Sequence, residues 1–463
     1  MGKFFLRFSL VTLFVATLLI VFITYFGLKT NKFDKLIKNK ANEINQNVKL
    51  EFQETKIYFN PLKLNIIVKL QNPKILIREN EIILSKLDLF LPLKSFFTSD
   101  FLLEKANIAF FKNDIKDLTK VTNIFLPIII NKKLKKIFER GTIEGEFFIP
   151  FDSNGRVANE YGFSGKVTEA TINPVKGFSI RNLSANITYE NNYENSNFLF
   201  NVEKGKVFDL NLKDSSIKLL RGKKDSTVES NINTNGNIDT KEIKKILSAF
   251  NLKSNLVEEI KGSIQLTTLL NFTIGKRLKI KDLSYGIKGN VPLLELYTKK
   301  INHIESYFPE YKSKIILKDA KIEYEKIKTG HTTKINGLAK ISNNFDEFNI
   351  KENYDYEKRS SIVEGEIFLE NSKVKISKLN YAKDIGDKAK LTFDVNFVHG
   401  KSFNIEKLSF LESQTKIELL DIKLNKKLEI IDLQNINVKT FSSNKKNNDF
   451  FVKKNKEIII KGE

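Results

Sequence analysis

The side chains able to carry covalent or metal chemistry are few and scattered in this 463-residue chain. Its three histidines, His303, His331 and His399, stand apart, and there is no cysteine, which excludes thiolate ligands and disulfide staples. No Gly-x-Ser-x-Gly, His-Glu-x-x-His or Gly-x-x-x-x-Gly-Lys run occurs, so the nucleophile elbow, the zinc-protease pair and the phosphate cradle are missing. Adjacent carboxylates such as Glu258 and Glu259 lie in charged runs, with no partner that would separate an acid from a base. The sequence predicts no enzyme, no metal site and no cofactor. Any function should rest on non-covalent contacts.

Apolar side chains at every second position are what the chain supplies in quantity. Leu87, Leu89, Leu91 and Leu93 fall on one face of an extended segment while Lys86, Asp88 and Lys94 fall on the other. The same alternation runs through Phe198, Phe200 and Val202, and through Leu391, Phe393, Val395 and Phe397 against Thr392, Asp394 and Asn396. A period of two marks half-buried antiparallel strands. These eleven residues are the candidate apolar face. Further strands are expected at Lys63 to Leu70, Lys74 to Arg78, Lys314 to Tyr324, Lys373 to Tyr381 and Lys416 to Leu424, with turns at stretches such as Asn191 to Asn197.

Ahead of those strands, the first thirty residues carry a different signal. Phe8 to Leu28 carries no charge, and fourteen of its positions are Leu, Ile, Phe or Val. At the helix centre such residues favour insertion by about 0.3 to 0.6 kcal/mol each, roughly 4 to 8 kcal/mol in all, over a length suited to one crossing. A cleaved signal peptide would have a shorter apolar core and end in small residues. Thr24-Tyr25-Phe26-Gly27-Leu28 is bulky there, so the segment reads as a retained anchor. Lys3 and Arg7 precede it, while Lys29, Lys32, Lys35, Lys38 and Lys40 follow. Charge alone favours the opposite orientation, but long domains translocate largely regardless of charge, which leaves the body outside the cytoplasm.

About 435 residues follow the anchor, more than one ordinary core requires, so several domains or one elongated repetitive body is expected. The net charge of +22 comes mostly from lysine interleaved with Asp and Glu. Lysine on outer strand faces guards sheet edges, and the excess fits weak attraction to anionic headgroups better than nucleic-acid binding. Helical patterns are short. Phe33, Leu36, Ile37 and Ile44 form an amphipathic stripe, read as a stalk or a surface-lying helix. Asp239 and Glu242 make a capping box before Ile243, Ile246, Leu247 and Phe250. Pro292 suits a helix start before Leu294, Tyr297, Ile301 and Ile304, and Asn131 to Arg140 reads as a helix stopped by Gly141.

An apolar-x-Gly-x-apolar pattern recurs around Gly145, Gly165, Gly262, Gly289 and Gly365, with looser copies around Gly236 and Gly337. Glycine inside a strand marks a bulge, a bend or a close backbone approach, so these positions would curve a long sheet at intervals. Several spacings near 26 to 28 residues hint at a repeat. Ile458-Ile459-Ile460-Lys461-Gly462-Glu463 ends the sequence in the middle of another copy, as a truncated chain would.

The anchor, the amphipathic segment, the strands of the type Lys63 to Leu70 and Lys74 to Arg78, and the run Leu84 to Ser95 together resemble the N-terminal region of AsmA-like envelope proteins. Leu126-Pro127 through Gly145, Ile180 to Tyr189, and Asn235 to Asp239 leading into a helix look like the YhdP branch of that superfamily. The resemblance implies a mostly β fold: an N-terminal transmembrane helix, then a long, twisted antiparallel sheet curled into a groove, with a few short helices. It further implies a bacterial inner-membrane protein with a periplasmic body that shields phospholipid acyl chains between two membranes, which makes the eleven alternating residues Leu87, Leu89, Leu91, Leu93, Phe198, Phe200, Val202, Leu391, Phe393, Val395 and Phe397 the candidate lining of a lipid-binding groove. Expected partners are phospholipids, the inner membrane and outer-membrane or envelope proteins. The expected organisation is 1–28 cytoplasmic stub and anchor, 29–48 amphipathic juxtamembrane segment, 49–113 N-terminal β region, 114–141 helical insertion and 142–463 repetitive body. Packed β-sandwiches would show the same alternation, and a structural or assembly role for the outer membrane is the alternative function.

Overall fold

The computed structural model describes residues 2–44, 46, 48–77, 80–97, 102–121, 136–175, 178–192, 194–222, 225–249, 257–275, 280–298, 302–398, 402–425, 429–441, 447–454 and 458–462. The fold is mostly β, with strands joined in antiparallel ladders and a few short helices. Its N-terminal helix, Gly2–Tyr25, contains a window of mean hydropathy 2.5 that no other part of the protein buries. By length and composition it is able to cross a membrane.

Two compact units are present: Met1–Val207 with Ser216–Thr227, and Phe208–Ser215 with Val228–Glu463. In the first, the chain leaves the helix through Gly27 at positive φ and adds Leu28–Lys29 beside Ile57 and Lys56. An ion pair of 2.6 Å between Lys29 and Glu54 reinforces that junction. The strand Asn80–Pro92 serves two arms, pairing Lys74–Ile77 with its first half and Asn65–Lys69 with its second. Between the arms a closed cluster forms from Leu50, Ile57, Val68, Ile77, Leu84, Leu87, Leu89 and Leu91. The helix Asp34–Ile44 with the residue before it contributes Phe33 and Ile37 to this cluster. The amphipathic segment therefore lids the sheet through those two side chains, and Leu36 stays exposed.

The second unit is built from long hairpins, and local chemistry closes their turns. At one turn Asp355 Oδ1 accepts hydrogen bonds from the Glu357 and Lys358 backbone N–H groups, and Arg359 takes positive φ. Asn60 does the same for Leu62 and Lys63 in the first unit. Short acidic and amide side chains favour such turns because they mimic a backbone acceptor. A two-residue bulge interrupts the ladder between Lys314–Lys326 and Gly330–Lys340, where Asp319 adopts φ 48°. Gly337 faces it, and a Cβ there would lie 2.6 Å from the Ala320 Cα. Bulges of this kind bend a strand and increase its twist.

Several expectations need correction. Pro292 does not start a helix but lies inside the strand Ile280–Thr298. It falls in a gap of both flanking registers, beside the Asp319 bulge, so its missing N–H leaves no ladder partner orphaned. The helix Asn302–Tyr307 comes later and holds Ile304, while Ile301 lies outside the described residues. Lys136 and Ile137 are helical, but Phe138–Pro150 is a strand that takes in Arg140 and Gly141, the latter at φ 131°; 131–135 lie outside the described residues. The region 114–141 shows one helix among its described residues long enough for two turns, Ile115–Val121. Lys373 to Tyr381 is not one strand. It is a small hairpin of Val374–Ile376 and Tyr381–Lys383 around a 3-10 turn. The capping box stands: Asp239 Oδ1 accepts from the Glu242 N–H at 2.8 Å and opens the helix Thr240–Ala249.

Candidate functional site

In an antiparallel ladder, directly opposed residues share a face, so the registers reveal what each face presents. Across the second unit one residue per strand lines up as Leu266, Gly289, Ile322, Ile335, Ile350, Gly365, Phe393, Leu408, Leu419, Ile436, Val452 and Ile460. Every member is apolar or glycine. At about 4.8 Å per strand the stripe is roughly 50 Å long. One position along, the opposite face carries Thr267, Lys288, Glu323, Lys334, Lys351, Glu364, Asp394 and Lys407 in the same order. Lys351 and Glu364 meet there at 3.3 Å.

Burial distinguishes an open floor from a closed core. Leu91 and Val291 are fully enclosed, as packed interiors require. Ile335, Ile350, Phe393, Leu408, Leu419 and Val452 are only half-buried. Closed clusters flank this stripe. Leu369, Val374 and Tyr381 pack on Phe410, Ile417 and Val438 along one margin. Ile243 of the helix Thr240–Ala249 joins Ile264, Val291 and Ala320 elsewhere.

The first unit has its own apolar row: Leu87, Ile108, Phe147, Phe163, Tyr189 and Phe198 are opposed in turn. Phe147 and Phe163 pack with ring centroids 4.7 Å apart, and Phe110 stacks on Phe163 at 6.2 Å. Glycine makes this possible. A Cβ on Gly145 would lie 2.6 Å from the Phe163 ring, and one on Gly165 would lie 2.5 Å from it and 2.7 Å from the Glu144 carbonyl oxygen. Gly365 is covered by Phe393 in the same manner. Gly145 and Gly365 thus seat an aromatic ring from the next strand, and Gly165 seats the ring two residues before it on its own strand.

The eleven candidate lining residues divide by environment. Leu87, Leu89 and Leu91 belong to the closed cluster beneath Phe33 and Ile37, so they are core. Leu93 lies beyond its strand and is exposed. Phe198 and Phe200 are half-buried on the same face, and Val202 is buried beside Ala185. Leu391 packs against the Leu369 cluster, Phe393 is half-buried in the stripe, and Val395 is buried. Phe397 is exposed and meets Phe403 edge-on at 4.7 Å. Alternation therefore located the face, while the open positions are a different subset of it.

The opposite face is less uniformly wet than alternation suggests. Asp88 is 6% exposed. Lys69 and Asn107 flank it on neighbouring strands, with Lys86 Nζ at 3.6 Å. Burial pushes its carboxyl above the usual range despite both lysines. Asp394 is likewise raised, by burial first and then by the Glu406 and Glu364 charges.

One feature of the apolar face has no counterpart in the sequence reading. Tyr285, Tyr324, His331, Tyr354 and Tyr356 gather at its margin, with Tyr324 to His331 and His331 to Tyr354 centroids 5.3 and 5.0 Å apart. The only available signal was tyrosine at alternating positions 354 and 356. Among the described residues no group of three or more His, Asp or Glu is placed to hold a metal ion. The His303 side chain and His399 lie outside the described residues. Comparison of the chain with protein-family models, with curated proteins and with solved structures returned no match.

Proposed function

We propose that this chain is a membrane-anchored lipid-binding protein whose apolar sheet face holds phospholipid acyl chains. The observation that carries the proposal is the stripe from Leu266 to Ile460, apolar in every strand, half-buried at its centre and backed by a charged face. Half-buried aliphatic and aromatic side chains in a continuous row expose apolar area that something must cover. A bilayer hydrocarbon core of about 30 Å holds two chains end to end, so one acyl chain of about 15 Å spans roughly three strands. The helix Gly2–Tyr25 would tether the chain to a membrane, its source of lipid. The likeness to AsmA-like envelope proteins supports placing the anchor in a bacterial inner membrane and the body in the periplasm, supplying lipid toward an outer membrane and its proteins.

The closed clusters around Leu89 and around Tyr381 favour the structural alternative in their own regions, where the sheet behaves as an ordinary core. Purification of the full chain in mild detergent and analysis of its extract decides between the two. Co-purified phospholipid at one or more per chain is expected. A lipid-free, stably folded chain that also fails to bind added phospholipid would overturn the proposal.

A further inference from the structure

The aromatic cluster at the margin of the stripe carries opposite charges within reach of one another. Lys326 and His331 are directly opposed, as are His331 and Tyr354, so all three lie on the apolar face. Lys326 Nζ sits over the Tyr285 and Tyr356 rings at 5.3 and 5.8 Å. Among the described residues no carboxylate lies within ion-pair distance of it. Glu352 is on the same face two residues from Tyr354, its Oε1 accepting from the Ser361 hydroxyl at 2.7 Å and its Oε2 4.0 Å from His331 Nε2. His331 Nδ1 is 3.3 Å from the Tyr356 hydroxyl. Burial and the neighbouring Tyr285 hydroxyl raise Tyr324 far above the usual phenol range, so it remains a hydrogen-bond donor.

Lys326 and His331 lie four residues along their strands from Ile322 and Ile335, about 13 Å at strand spacing. That is close to the length of one acyl chain. We infer that this cluster is a headgroup subsite for a zwitterionic phospholipid, with the phosphate held at Lys326 and the ammonium held at Glu352 and the tyrosine faces. A cation without a carboxylate partner suits a phosphate, and ring faces beside a carboxylate suit an ammonium. The apolar floor begins within one tail-length of the cluster, so acyl chains leaving a headgroup held there reach the stripe. The inference rests on the lipid-binding reading of the stripe.

The test uses the full chain in mild detergent and three ligands with identical tails: phosphatidylethanolamine, phosphatidylglycerol and diacylglycerol. The wild-type chain should bind phosphatidylethanolamine about tenfold more tightly than diacylglycerol, with phosphatidylglycerol between them. Glu352→Gln should abolish the preference for phosphatidylethanolamine over phosphatidylglycerol. Lys326→Met should bring both down to the diacylglycerol level, while diacylglycerol binding itself, a measure of the floor and of correct folding, stays unchanged in both variants. Equal binding of all three lipids by the wild-type chain, or unaltered preferences in the variants, overturns the headgroup assignment and leaves the stripe intact. Soluble phosphoethanolamine binding as tightly as the lipid would also overturn it, by marking a site for a small molecule. Failure to bind any of the three, diacylglycerol included, would instead sink the lipid-binding reading beneath it.

Discussion

An aspartate placed on the apolar face should have opposite consequences at two positions that alternation makes equivalent. Leu408 lies in the open stripe between Phe393 and Leu419, half-buried. Full burial of a leucine contributes about 1.5 to 3 kcal/mol, so Leu408→Asp forfeits roughly half of that, about 0.8 to 1.5 kcal/mol, and its carboxylate stays hydrated. Leu89 is 6% exposed within the cluster that includes Phe33, Val68 and Leu91. Leu89→Asp loses the full transfer term and buries an unpaired charge at several kcal/mol more, about 5 kcal/mol or above. That rivals the whole stability of a typical domain, about 5 to 15 kcal/mol. Urea denaturation followed by near-UV absorption or limited proteolysis should find Leu408→Asp folded with reduced lipid content, and Leu89→Asp unfolded or molten in its own unit. If Leu408→Asp is as damaging as Leu89→Asp, the stripe is a closed core and the reasoning from half-burial fails.

Gly165→Ala should destabilise the first unit by about 1 to 3 kcal/mol, the usual range for overpacking, because the Glu144 carbonyl that its Cβ would meet is backbone and cannot turn aside; a melting temperature within error of wild type would contradict the ring-seat account. Asp88 should make the first unit more stable as pH falls through its raised carboxyl pKa, since the folded state binds that proton more tightly than the unfolded chain does. Asp88→Asn should therefore be neutral or stabilising at pH 7 and flatten the acid limb of a melting-temperature profile, and a clear loss of stability would show that the Lys86 and Lys69 contacts outweigh burial.

The apolar N-terminal helix and the two-faced strands were legible because their signals are local. A charge-free run of apolar residues is its own evidence, and a period of two survives in any β environment. Coverage is not local. Leu89 and Phe393 share one alternation pattern, yet Leu89 is sealed by the helix Asp34–Ile44 some fifty residues earlier, and Phe393 is not. Pro292 read as a helix start because its tolerance within a strand depends on a bulge in a partner more than twenty residues away. The tyrosine and histidine cluster was invisible for the same reason: its rings come from positions 285 to 356 and meet only once four strands are in register.

The central claim is that the stripe faces lipid and the opposite face does not, and site-specific photo-crosslinking in cells tests it most directly. Photoreactive residues at Phe393 and Leu408 should form phospholipid adducts, while those at Thr392 and Lys407, one position along on the charged face, should not. Adducts to protein alone at Phe393 and Leu408, or lipid adducts equal on both faces, would contradict the account.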